Sequence, residues 1–234
     1  LRNAPENTFV VPYRPTTSAQ HEEAANLCQV ALMPALHEIE STVRSLILTP
    51  LCRALNRRIA ASIAKMHHGT YLEETIDAAA GDGASFVKKH LADLYASIAE
   101  QHLSRLPAEY ANIVASIIAA FSIYTFVSNA TLVRPLGEGA RLRITQDLAD
   151  FEMALENLVL NAGNSMSLGQ VEHGKPYAEL RAVRQMLYWT GMDDKRIAVA
   201  SLAKSMLREV WVKDVRPSTV FHFLFSFAPP LLSS

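Results

Sequence analysis

The run Gly169-Gln170-Val171-Glu172-His173-Gly174-Lys175-Pro176 has the spacing of a phosphate-binding loop, where glycines admit the phosphates to backbone amides and the lysine reaches their oxygens. Its last position departs from the pattern. Pro176 stands where a Ser or Thr hydroxyl would ligate magnesium, and no apolar strand precedes Gly169 to hold such a loop against a helix. A second glycine-containing turn, Leu136-Gly137-Glu138-Gly139, has Arg134, Arg141 and Arg143 near it and could attract an anion at the following helix N-terminus. A structural reading is stronger here. Pro135 fixes the turn, the glycines allow positive φ or close approach, and the arginines pair with Glu138 and Asp147.

Histidines lie near carboxylates in His21-Glu22-Glu23 and around His37, Glu38 and Glu40, and they adjoin one another at His67-His68. Neighbouring residues of a helix point about 100° apart, and no HExxH or Cys/His set exists, so these read as solvated surface histidines. Ser165 sits in Gly-Asn-Ser-Met-Ser, which fails the spacing of a nucleophile elbow. Cys28 and Cys52 lack a basic activator, and each reads as a small buried thiol on an apolar helix face. The sequence therefore nominates no catalytic residue, no cofactor and no metal ligand.

What must be positioned is a set of helices. The 234 residues are 50% hydrophobic, ample for a continuous core, and the net charge of -1 provides no field for nucleic acid. Two cysteines in helical patterns suit a reducing, cytosolic interior. Both ends, Leu1-Arg2-Asn3 and the apolar FLFSFAPPLLSS, read as cut from a longer chain, and the aromatic run Val220 to Phe227 calls for cover from more chain or a partner. No charge occurs between Glu109 and Arg134, yet Asn112, Ser116, Ser122, Thr125, Ser128 and Asn129 interrupt the run. With Tyr110, Ile113, Val114, Ile117, Phe121 and Tyr124 at helical spacing, it reads as a buried bundle helix and not a transmembrane segment, which needs about 20 mostly apolar residues.

The periodicity predicts an all-α fold, an elongated stack of antiparallel helical bundles, with no strand-like alternation. Residues 1–17 form an extended lead-in, 18–160 a bundle or rod, 161–176 a flexible loop and 177–234 C-terminal helices. Thr17 and Gln20 are spaced as a capping box, so a helix begins near Ser18. Leu32, Leu36, Ile39, Val43 and Leu46 make one apolar stripe, which resumes as Leu51, Leu55, Ile59, Ile63 and Met66. Pro34 and Pro50 should bend or divide it, with Arg53, Arg57 and Arg58 on the solvated side. A further break falls at His67 to Thr70. Helices then cover Tyr71 to Ala80 and Phe86 to Leu106 around the turn Gly81-Asp82-Gly83, and Pro107 suits the first turn of the next. Ile144, Leu148, Phe151, Leu155 and Leu158 line one helix opposite Arg143, Asp147, Asp150 and Asn157. Further helices are expected at Tyr177 to Trp189, Asp194 to Trp211 and Ser218 to Phe227.

The contiguous Arg134, Pro135, Leu136, Gly137, Glu138 and Gly139, followed by Arg143, Asp147, Phe151 and Glu152, resemble the subunit-five family of the conserved oligomeric Golgi complex. Leu48 to Leu51, Ile63 to His67 and Val220 to Pro229 are similar in the same way. Ala140 departs from the family's frequent third glycine, and Gly163 to Lys175 has no evident counterpart. The resemblance implies the middle to C-terminal helical region of a non-catalytic scaffold. That scaffold belongs to a peripheral vesicle-tethering complex on the cytosolic face of the Golgi, acting in intra-Golgi retrograde transport. It implies other tether subunits as partners, subunit seven foremost, and SNAREs, coat proteins and Rab GTPases as further candidates. Two rivals stand beside it: a subunit of another tether of exocyst or Dsl type, and a helical nucleotide-binding protein using the 169–175 loop.

Overall fold

The computed structural model describes residues 16–68, 85–134, 138–161, 175–189 and 199–227, and every regular element among them is helical. The all-α class read from periodicity is the class found. The chain packs as two compact units, Leu1–Pro50 and Leu51–Ser234.

In the first unit, α1 (Ser18–Leu27) opens on the expected capping box: the Thr17 hydroxyl accepts from the Gln20 amide at 3.3 Å, and the Gln20 side chain accepts from the Thr17 amide at 3.3 Å. Such a cap stabilises a helix by about 1 kcal/mol. The helix is divided into separate elements just before each proline, as expected. Pro34 lies in the first turn of α2 (Met33–Val43) and Pro50 in the first turn of α3 (Thr49–Ala64). Each follows a π-turn, Cys28–Leu32 or Arg44–Leu48, and Met33 and Thr49 keep right-handed helical angles. A widened turn moves the carbonyl with which the proline ring would clash, so the α-turn gives way to a π-turn while the backbone stays in the helical region. The Thr49 hydroxyl also donates to the Arg44 carbonyl, 2.9 Å away, within the second of these turns.

The predicted stripe on this unit forms but is not covered. Leu32, Leu36, Ile39 and Leu46 are exposed and Val43 half-exposed, and Cys28, expected to be a buried thiol, is exposed too. Spacing reports that a face wants a partner, not that the same chain supplies one.

In the second unit Leu55, Ile59, Ile63 and Met66 of the resumed stripe are buried and Leu51 is half-buried, with Cys52 buried beside them, while Arg53, Arg57 and Arg58 are exposed as read. Burial pushes the Cys52 thiol above its ordinary pKa. A 3-10 turn, Lys65–His67, ends this helix at the predicted break. The helix of Tyr71 to Ala80 and the turn Gly81-Asp82-Gly83 lie outside the described residues. The helix expected from Phe86 to Leu106 is interrupted, giving α4 (Phe86–His90), α5 (Ala92–Gln101) and a 3-10 turn at Leu103–Arg105. Leu91 and Leu103, beside the interruptions, are buried, so core packing overrides helical regularity here.

Pro107 is the N-cap of α6 (Ala108–Ala130), one position earlier than expected. The buried face of α6 is Ala111, Val114, Ala115, Ile118, Ala119, Ser122, Ile123, Phe126, Val127 and Ala130, which corrects the face read from the sequence. Of the residues named for that face only Val114 is buried, and Ile117 and Tyr124 are exposed. A helix apolar all round carries no periodic signal, so its neighbours choose the face, and they choose the alanine-lined one that admits close approach. By length and composition α6 could cross a membrane, and 50% of its apolar window is buried within the fold.

On α7 (Glu138–Asn161) the stripe Ile144, Leu148, Phe151, Leu155 and Leu158 is buried as predicted. Phe151 stacks on Phe126 of α6 at 4.2 Å and 13°, and approaches Tyr95 of α5 at 6.3 Å. Next come α8 (Lys175–Tyr188), α9 (Val199–Met206), a 3-10 turn at Val210–Asp214 and α10 (Pro217–Phe227). The single helix expected to Trp211 is thus divided. Trp211 is buried from the 3-10 turn, edge-on to Trp189 at 6.0 Å. Most of the predicted 161–176 loop, with Ser165 and Gly169 to Gly174, lies outside the described residues.

Because Phe151 joins three helices, Phe151→Ala is expected to lower the unfolding free energy by about 3–5 kcal/mol. Urea unfolding followed by circular dichroism measures this, and an unchanged midpoint would show that the Tyr95, Phe126 and Phe151 cluster does not hold the unit.

Candidate functional site

The turn from Arg134 to Gly139 connects α6 to α7. Pro135, Leu136, Gly137 and the Glu138 side chain lie outside the described residues, so the positive φ expected of Gly137 does too. The residues framing the turn are tied to α10. The buried Thr131 hydroxyl donates to the carbonyls of Val127 and Ser128 at 3.1 Å each, and its own carbonyl accepts from the Ser226 hydroxyl at 2.8 Å. The Arg134 guanidinium lies over the Phe225 ring, 5.4 Å from its centroid, a contact of about 0.5–1 kcal/mol at an exposed position. On the exit side Gly139 and Ala140 are buried, and Arg141 and Arg143 are half-buried and engaged by other groups. Within the aromatic run, Phe223 and Ser226 are covered by this chain, whereas Phe221 remains 55% exposed.

The carboxylates of α7 are a correction. Asp147 and Asp150 were expected on the solvated side and both are buried. Asp147 accepts a hydrogen bond from the backbone amide of Val87 at 3.3 Å, serving an N-terminal donor of α4 from a different helix. Burial pushes its carboxyl up to about 7; the amides of Val87 and Phe86 oppose that, and the charge of Asp150 adds to it. Asp150 takes the opposite direction. Burial alone would raise it, but hydrogen bonds from Ser85, Lys88 and Gln146 hold it below the ordinary carboxylate value, with Lys88 Nζ at 3.2 Å. Both aspartates flank the apolar stripe of α7, and a short helix with orphan amides needs acceptors nearby.

Glu179 of α8 organises a second cluster. Its carboxylate accepts from the Arg216 amide at 3.1 Å, from Arg216 Nε at 2.6 Å and from the Thr219 hydroxyl at 2.7 Å. Arg216 also donates from Nη2 to Ser128 Oγ at 3.3 Å and lies 3.9 Å from the centre of the Tyr124 ring. One ion pair therefore joins α6, α8 and the start of α10. Glu152 does likewise between α7 and α8, accepting from the Tyr177 hydroxyl at 2.7 Å and Arg184 at 2.7 Å. Burial, and then the Glu152 carboxylate, push the Tyr177 phenol up to about 12. None of these clusters was read from the sequence. Their members lie far apart along the chain, and only the incongruity of a charge beside an apolar stripe hints at them.

The chemistry nominated earlier gains little. A cleft of about 340 Å³ opens beside Tyr124, Pro176, Glu179, Lys213 and Arg216, and the Glu179 carboxylate at its wall already accepts from three donors. Among the described residues no three His, Cys, Asp or Glu side chains are grouped to hold a metal. His67 pairs with the Asn129 side chain at 2.9 Å, and His21 with the Thr17 carbonyl at 2.8 Å. Lys175 and Pro176 fall in the first turn of α8.

Glu179→Ala strands the Arg216 guanidinium and is expected to cost about 3 kcal/mol, with Glu179→Gln costing less because it keeps an acceptor. Equal urea midpoints for the two variants would show that the charge is not what clamps these helices. Asp147 gives a pH signature. The unfolded carboxyl titrates near 3.8 and the folded one near about 7, so the native state holds the extra proton in that window. Its stabilising contribution is full below the lower value, declines between the two and is gone above the higher. Asp147→Asn should therefore flatten the fall in stability across that window and exceed wild type above it, as read from urea midpoints against pH. An unchanged profile would mean that Asp147 stays ionised.

No family model matches the chain, and no solved structure matches it. Two curated proteins do. The chain is 28% identical over 200 residues to conserved oligomeric Golgi complex subunit 5 of Arabidopsis thaliana, covering 80% of this chain and 21% of that protein. It is 29% identical over 208 residues to the protein of the same name from Mus musculus, covering 87% and 22%. The chain thus spans about a fifth of the length of the curated relatives it matches. The resemblance read from the Arg134 to Gly139 turn and its flanks is borne out: the chain is similar, over most of its length, to subunit 5 of the conserved oligomeric Golgi complex.

Proposed function

We propose that this chain is the middle to C-terminal helical region of a scaffold subunit in a Golgi vesicle-tethering complex, acting without catalysis at the cytosolic face of the membrane in intra-Golgi retrograde transport. The observation that carries this reading is similarity to a plant and an animal subunit 5 over 80% and 87% of the chain. A scaffold uses apolar helix faces and fixed inter-helix angles in place of a reactive group. The described carboxylates suit that role, since Asp147, Asp150, Glu152 and Glu179 each join separate helices.

On this reading other subunits of the complex, subunit seven foremost, are the principal partners, with SNAREs, coat proteins and Rab GTPases as further candidates. The Arg134, Pro135, Leu136, Gly137, Glu138, Gly139 and Arg143 motif acts as an ordering turn that fixes α7 against α6 and α10.

Affinity capture of the full-length tagged protein from its own cells, followed by mass spectrometry, tests the assignment. The expected result is recovery of the other Golgi tether subunits. Recovery of exocyst or Dsl-type subunits in their place would overturn it, as would protection of the 169–175 loop by ATP or GTP with no tether subunit bound.

A further inference from the structure

The stretch Ser18–Leu48 carries a heptad stripe that nothing described covers. Leu36 is 58% exposed, Ile39 61% and Leu46 71%, with Leu32 and Met33 also open. Leu32 to Leu46 spans roughly 21 Å of helix, about two heptads. Apolar surface arranged in this way marks an interaction face.

Charge identifies the occupant. The stretch has four glutamates, Glu22, Glu23, Glu38 and Glu40, against a single Lys or Arg, Arg44. Arg44 and Glu40 neutralise each other at 2.7 Å, so Glu22, Glu23 and Glu38 set the charge of the stretch. A second copy would set glutamates against glutamates. A helix lying on an anionic membrane carries Lys and Arg on its polar face, the reverse of this one. Deepening the scaffold reading and resting on it, we propose that Leu32, Leu36, Ile39, Val43 and Leu46 dock an amphipathic helix of a partner protein, one with a 4-3 apolar seam flanked by Lys and Arg. The apolar seam supplies the affinity and the flanks select the partner.

The test uses the whole 234-residue chain and two labelled synthetic helices of about four heptads with leucine seams, one with Lys and one with Glu at the flanking positions. Fluorescence anisotropy should show the Lys helix binding at least ~10-fold more tightly than the Glu helix, with the preference shrinking as salt rises. Leu36→Glu with Ile39→Glu should weaken the Lys helix at least ~10-fold while leaving the urea midpoint of the second unit unchanged. Equal binding of the two helices, or insensitivity to the double substitution, overturns the proposal. So does sedimentation showing wild-type dimers that the substitutions dissolve, or equal binding to phosphatidylserine vesicles. Capture of tether subunits by the wild-type protein decides the scaffold reading separately: if they come equally with wild type and the double variant, the scaffold stands and the stripe proposal falls.

Discussion

The Leu51–Ser234 unit is organised by the need to surround α6, a helix without a charge between Glu109 and Arg134. Such a helix is costly in water along its whole length, so other elements must pack against it. They do so through alanines. Ala111, Ala115, Ala119 and Ala130 lie on the buried face and let neighbouring backbones come close, while Phe126 projects into the aromatic cluster with Phe151 and Tyr95. Both α7 and α8 pack on it, and the capped start of α10 is tied to it through Arg216 and Ser128. The uncharged stretch that raises the question of a membrane span is thus the element around which this unit assembles.

Apolar packing sets how much surface is buried but leaves the angle and register of each helix loosely specified. Buried and half-buried carboxylates fill that gap. Asp147 reaches the first turn of α4, Glu152 reaches α8, and Glu179 reaches the start of α10, so each clamp fixes a different pair of elements. Their net contribution to stability is small because desolvation offsets the attraction, yet losing one partner leaves a buried charge exposed to the full penalty. The burial that places Asp147 against the first turn of α4 is also what raises its carboxyl to about 7.

The helical class, the capping box at Thr17 and the stripe of α7 were legible because each is a local pattern with a direct physical cause. The face of α6 was not, since a helix apolar on all sides gives the reader no direction. At the prolines the division was legible but its form was not: propensity forbids Pro34 and Pro50 in a regular α-turn but says nothing of a π-turn placed just before them. The Glu179 and Arg216 clamp was illegible because its members are separated by most of α8 and everything up to α10, and no spacing rule connects them. The family motif lies at the opposite extreme. Its residues are contiguous and easily recognised, while the contacts beside it, Ser226 to the Thr131 carbonyl and Phe225 under Arg134, involve residues of α10 that no local pattern connects to it.

The same 4-3 spacing appears twice with opposite outcomes. In α7 Ile144, Leu148, Phe151, Leu155 and Leu158 are buried, Phe151 against Phe126 and Tyr95, whereas in the first unit Leu32, Leu36, Ile39 and Leu46 stay open to solvent. Both stripes incur the same hydration penalty when bare, so the difference lies in what each has been given to pack against. A stripe satisfied inside its own unit contributes to folding; an unsatisfied one retains its free energy for association. On the docking proposal, the second unit holds shape and the first meets a partner. On that proposal the acidic residues Glu22, Glu23 and Glu38, with Glu40 taken up by Arg44, limit which helices complete the seam, because like charges brought beside an apolar contact oppose its formation.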